Sequence, residues 1–432
     1  MLPSAARAVR SSSLVCSSEP ASPFLRPPQR VYGSPGADVP DLRRNVALPD
    51  LRSAVRKFPR AALPGSGSGR GNRGSTAIAT KELVGLKVGA SQLAAATVIN
   101  NGAPKLVQLA RAPLRRGVVV GGELREPEAL APALQDFFSA HGFPRDGVRL
   151  GIASNRIGVR TIELSGVDDP KQLDNAVRFR AQEVLPVPLE HSVLDYHVLS
   201  EDIGEDGSVT RRIQLVVAYR DLIDRYVGAC RAAGIKLVGI DLEAFALLRA
   251  LAPPPSTTEE SAVALVAVAL GHDRSTCAVA NASVCEFTRV LEFGGAALTS
   301  AVARALDVPP PEAELVKHGL SLDPTAAAPA ELSFEQVERA RDAIRRQLDG
   351  FARELVSSLH FYQNQADSLP IGEVVITGGT AGLPGLADEL ARLIGVPVRV
   401  GDPLARVRVA DGLEPGRECG SHTIAIGLGI ED

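Results

Sequence analysis

Three short stretches, each a glycine turn directly after an apolar run, are where this sequence could do chemistry: Gly89-Ala90-Ser91, Gly271-His272-Asp273 and Gly378-Gly379-Thr380. Turns of this kind aim backbone N–H groups at an anion, and glycine lets a phosphate or a ribose approach the main chain. One such turn is common and says little; three of them, ordered along a repeated frame, describe a nucleotide site. Carboxylates that such a site could use include Asp241, Glu243 and Asp273. Other chemistries lack their residues. The 7 histidines include no His-x-x-x-His pair, the 5 cysteines no Cys-x-x-Cys, and neither Gly-x-Ser-x-Gly nor a Walker loop occurs. Zinc hydrolases, α/β-hydrolases and P-loop ATPases are thereby excluded.

The elements that must position the turns follow from periodicity. Leu83–Ile99 reads as strand, tight Gly turn, strand. Helices are expected over Pro127–His141 and from Pro170 to the Leu185-Pro-Val-Pro188 stop, and strands over Gly147–Ala153, Val159–Leu164, Ser192–Leu199 and Arg211–Tyr219. A helix Asp221–Ala233, a strand Leu237–Asp241 and a helix Ala244–Leu251 lead to the linker Pro253–Glu260. About 180 residues after the first hairpin the pattern returns, with strands on either side of the turn Gly271–Ser275 and a third over Val284–Glu292. A duplicated βββαβα unit is the economical reading. Helices are expected over Ala296–Leu306 and Pro310–His318, and Ser333-Phe-Glu-Gln336 is a capping box that opens a long amphipathic helix. Its apolar positions Phe334, Val337, Ile344, Leu348, Phe351, Leu355, Leu359 and Tyr362 form one packing face, with a gap of seven around Arg341.

Composition bounds the class. The 432 residues are 45% hydrophobic and 22% charged, and no run approaches the roughly 18 apolar residues of a membrane span. Aromatics at 4% with no Trp leave no base-stacking platform for nucleic acid. Residues 1–80 carry 12 Arg and Lys against 4 Asp and Glu, a charge of +8, which leaves −11 on the remainder of a chain whose net charge is −3. With Ser-Ser-Ser, Pro-Pro and a Gly/Ser run in it, residues 1–78 are expected to be a disordered tail. The first 16 residues hold no apolar core of a secretory signal.

The segments Leu83–Leu93, Ala176–Glu190, Leu194-Asp-Tyr-His197, Val238–Leu247, Phe293-Gly-Gly295, Glu314-Leu-Val-Lys317, Leu355–Tyr362 and Thr377–Leu386 resemble the PilM family of type IV pilus assembly proteins. The helix ending in Leu-Pro-Val-Pro-Leu-Glu before Leu-Asp-Tyr separates this branch from the related cell-division protein FtsA. The resemblance runs from about Leu83 to Ile430. It implies an α/β, actin-like (ribonuclease H-like) fold of two lobes, 79–253 and 259–432. A small subdomain would be inserted at 157–214, a helical subdomain would occupy 296–350, and a C-terminal helix 421–430 would return to the first lobe. It implies a cytoplasmic protein, with ATP and Mg²⁺ in the cleft, that is held at the inner face of the membrane by the cytoplasmic tail of a PilN-like membrane protein. By resemblance, Gly89, Ala90 and Ser91 form the first phosphate loop and Gly271, His272 and Asp273 the second. Glu314 and Lys317 make the ribose-side pair, and Gly378, Gly379 and Leu383 the adenosine loop.

Two departures bear on the chemistry. Where the family usually has an acid in each phosphate loop, this chain has Lys87 and Ala269, and Ala94 replaces a common lysine. Carboxylates there would hold Mg²⁺ beside the phosphates, so their loss speaks against Mg²⁺ and for weak or absent hydrolysis. Three readings stay open: nucleotide held with Lys87 supplying charge to the phosphates, a nucleotide-free scaffold, or an ATPase using Asp241, Glu243 or Asp273. A sugar kinase of the same superfamily is the alternative of another class, and it needs the metal carboxylates that are missing. For the partner, Leu185, Val187 and Leu189, spaced by two prolines, are expected to line a groove between the inserted subdomain and the first lobe.

Overall fold

A computed structural model describes residues 81–431 apart from 168, 186–187, 205–207, 253–262, 282–283, 328, 366–367 and 417. The charged tail at 1–78, Val187 and the expected linker at Pro253–Glu260 therefore lie outside the described residues. In chain order the first half contains β1 (Glu82–Val88), β2 (Gln92–Ile99), β3 (Lys105–Pro113), β4 (Val119–Val120), β5 (Glu123–Leu124), α1 (Pro127–His141) and β6 (Val148–Ile152). It continues with β7 (Ile157–Ser165), α2 (Pro170–Val184), β8 (Ser192–Ile203), β9 (Val209–Tyr219), α3 (Arg220–Ala232), β10 (Leu237–Leu242) and α4 (Glu243–Leu251). The second half has β11 (Ala264–Leu270), β12 (Ser275–Asn281), β13 (Val284–Leu291), α5 (Gly295–Leu306), α6 (Pro310–Gly319) and α7 (Phe334–Gln363). After it come β14 (Ile371–Thr377), α8 (Leu386–Ile394), β15 (Val398–Val400), β16 (Arg408–Val409) and α9 (Thr423–Gly429).

The duplication is visible in strand order. The first sheet runs β10-β6-β1-β2-β3 with β16 added at its edge, and the second runs β13-β12-β11-β14-β15. Read outward from β1 or from β11, each has an antiparallel meander on one side and two parallel strands on the other. Alanines dominate β2, and its central residues are buried on both faces, as expected for strands covered by helices. α9 seals the first sheet from the C-terminal end of the chain. Gly85 and Gly427 allow this: a methyl group on Gly85 would lie 2.0 Å from the Ala425 carbonyl oxygen, and one on Gly427 1.8 Å from that of Ala246 in α4.

Between β6 and α3 the chain builds a separate three-stranded sheet, β7-β9-β8, with α2 on one face. Its small core contains Ile162, Val177, Ala181, Leu185, Ile213 and Leu215. Arg156, at its base, donates to both Asp221 carboxylate oxygens at 2.9 and 2.6 Å and stacks over Tyr219, which fixes the sheet on the body. This pairing raises the Arg156 pKa and lowers that of Asp221.

The capping box of α7 forms as expected, with Ser333 and Gln336 bonding each other's backbone N–H. The apolar face also forms from Val337 to Tyr362, but Phe334 is 78% exposed, because it opens the helix beyond the edge of the body. In the gap of seven the apolar face is carried by the fully buried Ala340, and Arg341 next to it is buried and donates to the carbonyls of Ser321 and Asp323. A guanidinium supplies several donors to such carbonyls where an apolar side chain would leave them unpaired.

Candidate functional site

β1 and β11 occupy equivalent central positions in their sheets, and each ends in a glycine turn. Lys87, two residues before Gly89, pairs across the sheet with Ala94 and Gly151. Ala269, two residues before Gly271, pairs with Thr276 and Thr377. Beside Lys87, and beside Thr276 opposite Ala269, lies Glu243, the first residue of α4 and only 2% exposed. The Lys87 Nζ lies 3.7 Å from one Glu243 oxygen, and the Thr276 hydroxyl donates to the same oxygen at 3.4 Å. Arg274 reaches in from the second loop, with a terminal nitrogen 3.8 Å from the other Glu243 oxygen. It is 7% exposed and is covered by the Gly121-Gly122 turn between β4 and β5.

That turn is tied down from both halves. The Gly121 N–H donates to Asp273 at 2.9 Å, and the Tyr226 hydroxyl donates to the Gly122 carbonyl at 3.1 Å. A methyl group on Gly122 would strike the Ala153 carbonyl oxygen at 1.9 Å, so only glycine fits under positive φ there. Burial raises the Tyr226 pKa, so the phenol stays protonated and can donate. Three polar atoms in this cluster have no hydrogen-bond partner among the described residues: Glu243 Oε1, Arg274 Nε and Arg274 Nη1. Each such buried group costs about 1–3 kcal/mol.

The second and third turns meet directly. The Gly271 carbonyl accepts from the Gly295 N–H at 2.9 Å and from the Thr380 hydroxyl at 3.1 Å, and the His272 carbonyl accepts from Ala296 at 2.8 Å. Gly378 has φ 97° and packs on the Leu270 carbonyl, where a methyl group would stand 2.3 Å away. Burial and the nearby Arg116 lower the His272 pKa. Lys317, 7% exposed, donates to Glu314 and to Thr299 at 2.9 Å and to the Gly295 carbonyl at 3.4 Å. Burial works against the Glu314 carboxylate, yet hydrogen bonds from Thr299 and Lys317 outweigh it and hold its pKa below the ordinary value.

Thus Lys87 and Gly271, His272, Asp273, Glu314, Lys317, Gly378 and Gly379 sit in one linked set. Gly89, Ala90 and Ser91 close the β1–β2 turn beside it, with the Ser91 carbonyl accepting from Leu114 at 2.8 Å. Leu383 packs on the core of the second half. Of the candidate carboxylates, Asp241 is paired with Arg249 and accepts from its neighbouring Leu242 N–H, so it is a structural group. The residues do not fit Mg²⁺, which needs one or two free carboxylates. Glu243 already faces two cations, Asp273 holds Gly121, and among the described residues no three His, Cys, Asp or Glu side chains converge. Arg274 and the Gly121-Gly122 turn were not singled out from sequence; an arginine three residues after the Gly271 turn was the available signal.

A second concavity of about 280 Å³ opens where β6 passes into β7. Ile152, Val159 and Phe287 form its apolar floor, and Arg160, Arg289 and Phe361 stand at its mouth. Leu185 and Leu189, expected at a groove, are not there: Leu185 is 7% exposed inside the core of the inserted sheet, and Leu189 packs against that core.

The duplicated sheets, with glycine turns meeting over a shared floor, define an actin-like ATPase fold. A family model described as Type IV pilus assembly protein PilM matches residues 85–432, and the chain belongs to that family. The chain is similar to the solved PilM-PilN type IV pilus biogenesis complex, at 25% identity and a TM-score of 0.65 over 81% of this chain and 97% of that one. It is also similar to the cell division protein FtsA of Escherichia coli strain K12, 24% identical over 362 residues, which is 75% of this chain and 84% of that protein. FtsA of Pseudomonas aeruginosa is 23% identical over 361 residues, covering 75% and 83%. Among the described residues no helix is long and apolar enough to cross a membrane.

Proposed function

We propose that the chain is a nucleotide-binding scaffold of the type IV pilus inner-membrane platform that hydrolyses ATP weakly or not at all. It is held at the membrane by the short tail of a PilN-like protein. The observation that carries the reading is the cleft floor: the glycine turns of a nucleotide site are linked through Glu243, but a lysine and an arginine stand around that carboxylate instead of acids. Without a free carboxylate pair, neither a metal nor an attacking water has the partners that phosphoryl transfer uses. The same floor argues against a sugar kinase.

The partner reading is supported by the likeness to a PilM-PilN complex and by the concavity between β6, β7 and β13. Its apolar floor suits a short extended peptide with a few apolar anchors, which at roughly 25 cal/mol per Å² minus chain ordering gives micromolar affinity. Titrating a labelled N-terminal tail of the PilN-like partner into the full chain at two salt concentrations tests this. Binding should change little with salt and weaken at least tenfold in Phe287→Ala, a change of about 1.4 kcal/mol. Binding that collapses in moderate salt would move the partner site to the basic residues of 1–78.

A further inference from the structure

Arg274 is the residue of the cleft that the reading above leaves without a task. Its guanidinium is nine-tenths buried, projects from the second phosphate loop toward the first half of the molecule, and has two nitrogens, Nε and Nη1, with no hydrogen-bond partner among the described residues, the Asp273 carboxylate standing 3.8 Å from Nη1. Native interiors leave few such donors. Across from it, Lys87 approaches the same carboxylate from β1, two residues before the first loop. The floor beneath both phosphate loops thus carries two cations, Lys87 and Arg274, against Glu243 and Asp273; one Asp273 oxygen accepts from the Gly121 N–H and the other lies 3.8 Å from Arg274 Nη1. A divalent ion held by two acids gives the same balance of two positive against two negative charges, so the two side-chain cations supply the charge that the ion would bring.

We propose that Arg274 and Lys87 together replace the divalent cation, so that the cleft takes the polyphosphate of a nucleoside di- or triphosphate as a metal-free anion. This rests on the nucleotide reading above. The unpartnered Arg274 nitrogens donate to phosphate oxygens, and Lys87 adds a point charge. The Glu243 carboxylate keeps both side chains in place when no ligand is bound. Charge-assisted bonds from guanidinium and ammonium to phosphate are the strong class of hydrogen bond, and arginine's fixed fork suits paired phosphate oxygens.

The test is equilibrium binding of a fluorescent ATP analogue to the full chain in Mg²⁺ and in EDTA, with melting curves to check folding. The unaltered chain should bind equally in the two buffers, within about twofold, and Arg274→Gln should lose at least about tenfold in EDTA. Because Arg274 is buried, Lys87→Met, on a side chain that is 20% exposed, is the second variant and should lose affinity in EDTA without a lower melting temperature. Chains carrying both Lys87→Asp and Ala269→Asp should bind only with Mg²⁺. A tenfold or greater loss when Mg²⁺ is removed from the unaltered chain would overturn the proposal and leave the nucleotide reading standing. Absence of binding in both buffers would overturn both.

Discussion

His422 shows how a single side chain sets a pH limit on this fold. It is 6% exposed, precedes the helix that seals the first sheet, and is buried beside Arg111 and the backbone of Ala110. Burial, and then the charge of Arg111, lower its pKa to about 4. The sign follows from linkage. The unfolded chain takes up a proton near pH 6.5 while the folded chain resists, so the stability this neutral ring permits is complete above that pH and declines as pH falls towards 4. Urea unfolding at pH 7 and pH 5 should show a loss of about 2 kcal/mol that is absent in His422→Leu. Equal pH dependence in the two chains would mean that the ring is solvated. At this scale the sequence was partly legible. Lys87 and Ala269 stood out because a strand running into a glycine turn normally carries an acid in the related family. His422 and Arg274 did not, since nothing local reveals that a polar residue will be enclosed by elements more than a hundred residues away.

The elements themselves were largely written in the chain. Strand and helix periods gave both hairpins, α7 with its capping box, and the return of the pattern after about 180 residues. What escaped were the short or edge pieces. β3 mixes Leu106 and Leu109 with Lys105, Gln108 and Arg111, so its apolar period is weak, and its place is set by pairing with β2 and β16. The β4–β5 hairpin is only two residues a side, and its meaning lies in what Gly122 covers. The burial of Leu185 escaped for a related reason: the prolines do end α2, but the leucine before them turns inward to close a three-stranded sheet. Packing of α9 offers the sharpest test at this scale. Gly427→Ala would push a methyl group into the Ala246 carbonyl, and overpacking of this kind costs about 3 kcal/mol. A shift in urea midpoint of that direction is expected, and an unchanged midpoint would show that α4 and α9 are less closely apposed.

In the whole molecule, besides the packing of α9 and β16 on the first sheet, polar contacts from both halves meet at the cleft and at the inserted sheet. At the cleft, Arg274 faces Glu243 and Asp273 holds Gly121. At the inserted sheet, Arg212 pairs with Glu286 at 3.1 Å and Gln214 donates to the Cys285 carbonyl. The concavity proposed for the partner is bounded by β7 and β13. On the proposed reading this cleft binds nucleotide without turning it over. Single-turnover incubation of excess purified chain with labelled ATP, in the presence of Mg²⁺, is the direct measurement. Bound ATP should be recovered intact over many minutes. Mg²⁺-dependent hydrolysis at the roughly 1–10³ s⁻¹ of ordinary enzymes would contradict the account and return Glu243 to the role of a catalytic carboxylate.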